Sequence, residues 1–261
     1  MTEWKNNFLS TLVFLTRLPV KCKFEYKAKS DNMVFFPFIG LILGCMILGV
    51  AYLSNEVFGS HISAILTVLA LVVLTGGLHL DGLSDSFDGL FSYRDKETII
   101  LIMKDSRIGA MGLLSVVFVM LLKIAFFEFL IESGYMLIIP MIPMVGRLSV
   151  IMACYKGVPM NKSKMGEPFI GKLSRNKYCG IILFYITLMS ALMYFSFGVK
   201  LVIANAVTIL ILHLIVMSIK KFVYEKIDGI SGDVLGAICE ITETIFIPIF
   251  YVGVYICNLF I

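Results

Sequence analysis

Long apolar runs separated by short polar stretches organise this chain. Runs of spanning length lie near residues 33–53, 61–79, 108–131, 135–154, 178–197, 201–219 and 242–261. Residues 4–18 mix polar and apolar positions and close at Pro19, which predicts an amphipathic helix lying in a membrane interface. Pro140 and Pro143 fall inside the fourth run and predict a kink there. The pattern therefore predicts an all-α, polytopic integral membrane bundle. It has about seven transmembrane helices plus an N-terminal interfacial helix, and forms a single domain over residues 1–261.

The polar stretches between the runs differ in charge. Arg17, Lys21, Lys23, Lys27 and Lys29 precede the first run, and the turn at 54–60 has no Lys or Arg. Arg94, Lys96, Lys104 and Arg107 follow the second run, and the turn at 132–134 has none. Six basic residues between Lys156 and Lys177 follow the fourth run, then Lys200 alone, then Lys220, Lys221 and Lys226. Basic and non-basic connections alternate, as the positive-inside rule requires. The N-terminus and the long loops are expected on the cytoplasmic side and the C-terminus outside. The predicted location is a prokaryotic cytoplasmic (inner) membrane.

Composition agrees with this reading. Of 261 residues, 59% are apolar and 15% charged, and the mean hydropathy is +0.94. Soluble domains carry about 25% charged residues, so a large soluble core is excluded. Net charge is +4, with no basic face that interleaves exposed aromatics, so nucleic acid is not an expected partner. The lipid bilayer is. Nothing in the sequence excludes a homo-oligomer. Six cysteines include no C-x-x-C pair, which predicts reduced, mostly buried thiols and no zinc site. Residues 8–18 are short, carry Arg17 and lack a small-residue cleavage site, which argues against a cleavable signal peptide.

The chemistry gathers in three acidic clusters on the predicted cytoplasmic side. Asp81, Asp85 and Asp88 sit at i, i+4 and i+7, so on a helix they project from one face. Three like charges on one stripe need a cation, and hard Mg2+ suits oxygen ligands. In the second cluster Asp105, Gly109 and Gly112 are expected to share one helical face at the start of the third run, with Lys104 and Arg107 on another. The two basic residues suit phosphate oxygens or, for Lys104, lipid headgroups. In the third, Asp233, Gly236, Glu240 and Glu243 form a stripe entering the last run. Arg147, within the fourth run, is a partner for Glu243, a phosphate ligand or a counter-charge to the acidic helices. The loop with Asn161, Lys162, Ser163 and Lys164 suits anionic lipid or the anionic end of a substrate. His79 points away from Asp81 and reads as a packing or hydrogen-bonding histidine.

Clustered carboxylates flanked by cations at a membrane surface suit a divalent metal bound to a diphosphate, and so phosphoryl or phosphodiester transfer. The CDP-alcohol phosphotransferases share that general pattern, but their D-G-x-x-A-R string is absent. An ion-coupled transporter would place acids near mid-span in inverted repeats, and no such repeat is visible.

A more specific likeness is carried by Phe14-Leu15-Thr16-Arg17-Leu18-Pro19-Val20, by Phe36-Pro37-Phe38-Ile39-Gly40, and by Gly76-Gly77-Leu78-His79-Leu80-Asp81-Gly82-Leu83-Ser84-Asp85 with Asp88-Gly89. Ile102-Met103-Lys104-Asp105-Ser106-Arg107-Ile108-Gly109-Ala110 and Gly232-Asp233-Val234-Leu235-Gly236-Ala237 with Glu240 complete it. In these strings the chain resembles the cobalamin synthase family, the adenosylcobinamide-GDP ribazoletransferases. Ser84 and Ser86 stand where Ala and Thr are common in that family, and Met111 where Tyr is. The resemblance implies a Mg2+-dependent transfer of the adenosylcobinamide-phosphate moiety of adenosylcobinamide-GDP to alpha-ribazole or its 5'-phosphate, with release of GMP. It implies a metal set drawn from Asp81, Asp85, Asp88, Asp105, Asp233 and Glu240. Asp81, Asp85, Asp88, Asp105 and Arg107 would be catalytic. Lys104, Arg107, Arg147, Ser163 and Lys164 would bind substrate.

Overall fold

The computed structural model describes residues 2–160 and 166–260, without the side chains of Phe197 and of residues 258–260. Ser163 and Lys164 lie outside the described residues. Helices form along the apolar runs because a backbone surrounded by hydrocarbon can satisfy its own N–H and C=O groups only internally. In order they are α1 (Glu3–Leu15), α2 (Phe36–Thr75), α3 (Leu78–Leu90), α4 (Lys96–Ile102), α5 (Ala110–Glu132), α6 (Met141–Cys154), α7 (Arg175–Phe197), α8 (Val199–Ile227) and α9 (Gly232–Phe260). Short 3-10 turns precede α2 and α6.

The helix α2 doubles back. Gly59 has φ 76° and ψ 177°, a conformation open to glycine. The limbs 36–58 and 60–75 then pack together, with Ser63 Oγ donating to the Ala51 carbonyl at 2.8 Å and bonded to Ser54 Oγ at 2.9 Å. Among the described residues six stretches are long and apolar enough to cross a membrane, and the first, Ser30–Thr75, is this doubled pair. The bundle therefore has seven passes with α1 beside them, and the chain is a membrane protein, as the hydropathy pattern predicts. Rings of Trp4, Phe8 and Phe35 tie α1 to the start of α2.

Two expected boundaries move. The last helix starts at Gly232, ten residues before the expected 242, and its Glu240 and Glu243 are neutralised by partners the local sequence does not show. The two prolines do not kink a mid-helix. Pro140 precedes α6 and Pro143 lies in its first turn, where a missing N–H leaves no bond unmade. Their backbone then meets Gly40 and Gly44 of α2 so closely that a Cβ on either glycine would lie 2.4 Å from a proline carbonyl oxygen.

At the centre α6 is buried along its whole length and packs on α2, α8 and α9. Around it α5, α7 and α8 turn Leu113, Phe118, Phe184, Leu210 and Leu214 outward, apolar surface that suits lipid. The polar connections sort by end of the bundle. At one end Arg17 N–H donates to the Leu74 carbonyl, Lys96 pairs with Asp228, Lys177 pairs with Asp31 at 2.6 Å, and Met160 N–H donates to the Ile230 carbonyl. At the other, Ser60 meets Glu132 and His61 meets Glu128. The basic loops thus share one end. Of the six cysteines, Cys154, Cys239 and Cys257 are buried and Cys22, Cys45 and Cys179 are exposed, fewer buried thiols than composition suggested.

Candidate active site

At the basic end α3 crosses α9 on glycine. A Cβ on Gly82 would lie 2.7 Å from the Asp233 carbonyl oxygen, and one on Gly236 would lie 3.1 Å from that of His79. Only hydrogen at these positions lets the backbones touch. The crossing brings Asp81 and Asp85 of α3 beside Asp233 of α9.

The three carboxylates face two cavities. One, about 880 Å³, is a cleft between the start of α3 and the loop before α5. Arg17, Asp81, Asp85 and Arg107 line it. The other, about 650 Å³, lies between α3, α6 and α9, and Asp81 and Asp233 line it with Arg147 and His79. Asp81 borders both. Among the described residues none of these three carboxylates makes an ion pair with a Lys or Arg. The crowding is visible in acidity. Burial, then the charges of Asp81, Asp233 and Asp88, push the Asp85 carboxyl up to about 6.

Asp88 is used differently. Its carboxylate accepts the N–H of Gly109 and the N–H of Gly112, each at 2.7 Å, and so caps α5 from another helix. A Cβ on Gly112 would strike that carboxylate at 2.2 Å. The cap explains why the expected helical face of Asp105, Gly109 and Gly112 is not formed. Helix α5 begins only at Ala110, and Asp105 stays in the preceding loop, paired with Arg107 at 2.5 Å. The hydrogen bonds from Arg107 hold Asp105 down at about 2. Lys104, in the same loop, is exposed and acts electrostatically on Asp233.

Beneath the second cavity lies a sealed group of charges. Lys123 Nζ donates to Glu240 and to Glu243, each at 2.6 Å, and Arg147 Nη1 donates to Glu243 and, at 3.2 Å, to the Pro143 carbonyl. All four side chains are under a tenth exposed. Two positive and two negative groups cancel, which burial in a bundle core demands. Gly146 makes room, since a Cβ there would lie 2.6 Å from Glu243 Cγ. Burial and the nearby Arg147 charge push His79 down to about 3, so its ring is neutral.

A profile of the cobalamin-5-phosphate synthase family matches residues 7–251. This chain belongs to that family. Its relatives named adenosylcobinamide-GDP ribazoletransferase include one from Clostridioides difficile (strain 630), 35% identical over 251 residues, covering 95% of this chain and 98% of the relative. One from Alkaliphilus metalliredigens (strain QYMF) is 40% identical over 240 residues, covering 91% and 92%. No solved structure matches.

Of the expected site residues, Asp81, Asp85 and Asp233 come together, with Arg107 at the cleft they face. Asp105 approaches the cap of α5, where it lines a shallow hollow with Asp88 and Arg107. Glu240 is not brought to the others. It lies two turns down α9 on Lys123, and Arg147 takes the Glu243 pairing that was one of its readings. Two residues escaped sequence reasoning. Lys123 is a lone cation inside an apolar run, and only its intramembrane position signalled a partner. Arg17 read as one more loop cation, although the string Phe14-Leu15-Thr16-Arg17 carried it. Its side chain packs on Gly76, where a Cβ would meet Nε at 2.2 Å.

Proposed function

We propose that this chain is an adenosylcobinamide-GDP ribazoletransferase that acts with Mg2+ at the inner face of a prokaryotic cytoplasmic membrane, its basic loops cytoplasmic. One observation supports this most: three carboxylates from two crossing helices face shared cavities and, among the described residues, pair with no Lys or Arg, while Arg17 and Arg107 line the same cleft.

Whether the residues suit magnesium can be judged from the donor set. No three His, Cys, Asp or Glu side chains among the described residues stand close enough to ligate one ion together. Mg2+ is ordinarily held through one or two carboxylates and completes its shell with water and substrate phosphate oxygens. Asp81 and Asp85, an i, i+4 pair with excess negative charge, fit that mode. When bound, the metal would neutralise charge on the diphosphate. Arg17 and Arg107 take the phosphate oxygens of the same diphosphate and stabilise the leaving GMP. Asp233, on the other cavity, orients the acceptor hydroxyl and accepts its proton. A new bond forms between that hydroxyl oxygen and the phosphorus carrying the cobinamide. The bond from that phosphorus to GMP breaks, and GMP leaves with the electron pair.

The test is purified protein in nanodiscs with adenosylcobinamide-GDP, alpha-ribazole and Mg2+. GMP should appear only when both substrates are present, and EDTA should stop it. GMP release without alpha-ribazole, or none under any condition, overturns the reading.

A further inference from the structure

The cavity between α3, α6 and α9 has walls unlike those of the cleft. Phe14, Phe36 and Phe169 line one side as a cluster, their centroids 5.3–6.3 Å apart. Val150 and Leu235 add aliphatic surface. Of its polar lining, two buried atoms have no partner among the described residues: Nε of Arg147 and Nδ1 of His79. Arg147 is 1% exposed, and its Nη1 is already engaged by Glu243. An unpaired guanidinium N–H at such depth is costly unless a ligand takes it. At the rim stand Asp81 and Asp233.

We propose that this cavity is the binding pocket for the aromatic base of the acceptor nucleoside: the benzimidazole ring lies against the three phenylalanines, its free ring nitrogen accepts from Arg147 Nε, and the ribose projects toward Asp233. The inference rests on the function proposed above and adds where the acceptor sits. Chemistry distinguishes this base from the other aromatic ring in the reaction. Guanine carries several polar edge groups, including N–H donors, that the wall of Phe14, Phe36, Phe169, Val150 and Leu235 would strand. Benzimidazole carries one ring nitrogen as its only free polar edge atom, and the rest is flat hydrocarbon. One guanidinium N–H among phenyl rings suits the second pattern. Placing the base there leaves Arg17, Arg107 and Asp85 free for the diphosphate in the cleft, with Asp81 between.

The experiment is calorimetric titration of the purified protein in nanodiscs, with EDTA and no donor substrate, so that turnover plays no part. Alpha-ribazole should bind the wild-type protein. Its analogue with carbon in place of the free ring nitrogen, a ribosyl indole, should bind about tenfold more weakly. Phe169→Leu should weaken alpha-ribazole by a similar factor, and Val150→Phe should abolish its binding, with GDP binding, titrated separately in Mg2+, unchanged in both. The indole comparison uses unaltered protein, so it stands if a variant fails to fold. Equal binding of the two nucleosides overturns the proposal, as does loss of GDP binding in the folded variants with alpha-ribazole unaffected. Failure here with GMP release intact removes the pocket assignment alone. Absence of GMP release removes the function.

Discussion

The acidic stripe of α9 meets opposite fates at its two ends. Glu240 and Glu243 are closed inside the bundle by Lys123 of α5 and Arg147 of α6. Asp233, two turns nearer the helix start, joins Asp81 and Asp85, and among the described residues no Lys or Arg pairs with the three. Residue type and spacing are alike at both ends. What differs is compensation. Where the protein supplies its own countercharge, the acids hold helices together. Where it supplies none and leaves a cavity, the charge is available to a ligand.

Removing the countercharge should have the largest effect. Lys123→Met strands Glu240 and Glu243 against a single arginine, and a broken buried pair costs about 3–5 kcal/mol. The variant should fail to accumulate as a monodisperse species after detergent extraction. Lys123→Met with Glu240→Gln restores neutrality and should recover much of the yield. If Lys123→Met melts like wild type, the sealed group is not what holds α5 to α9.

At the open end the opposite separation is expected. Asp81→Asn removes a charge that pairs with no Lys or Arg among the described residues, so the variant should accumulate normally and melt at or above the wild-type temperature. Turnover should fall on the order of 100-fold or more, the scale of losing one electrostatic contact to developing charge. Full activity at ordinary Mg2+ concentration would falsify the assignment of this end to catalysis.

The same contrast explains what was legible in the sequence. The alternation of apolar runs and basic loops fixed the passes, because both signals are local and repeat with every crossing. The acids Asp81 and Asp85 were visible as one helical face for the same reason. The pairing of Lys123 was not, since Glu240 lies 117 residues away, and that of Arg147 with Glu243, 96 residues away, stood only as one of three readings. Charge within a window also delayed the expected start of α9, because hydropathy cannot know that a glutamate's partner arrives on another helix. Asp88 shows the reverse error. It shares the spacing of Asp81 and Asp85, yet the free amides of a neighbouring helix end claim it.

Asp88 gives a smaller test. Asp88→Ala removes two hydrogen bonds at the start of α5 and should cost about 1–2 kcal/mol of stability. Asp88→Asn keeps an acceptor and should recover part of that, which thermal melting of the two variants would read. Equal melting temperatures for Ala, Asn and wild type would mean the cap contributes little, and Asp88 would return to the open group.

The smallest effect is the most diagnostic of uncompensated charge. The Asp85 carboxyl sits at about 6 in the fold against about 3.9 in an unfolded chain. Between those values the folded state binds more protons than the unfolded one. Asp85 therefore favours folding at low pH, and that contribution is lost as pH rises from about 4 to about 6. His79 opposes it. Its ring is held neutral down to about 3, so the unfolded chain takes up the proton first and stability grows as pH rises through the same window. Wild-type melting alone mixes the two, and the difference between Asp85→Asn and wild type isolates Asp85. Without divalent cation, the variant's advantage should grow by a few degrees from pH 4 to pH 6 and then level off. Added Mg2+ should shrink it above pH 6, where the ionised carboxylate can be neutralised by the metal instead of by a proton. A difference that does not vary with pH would place Asp85 among balanced charges like Glu243 and remove the contrast between the two ends of the stripe.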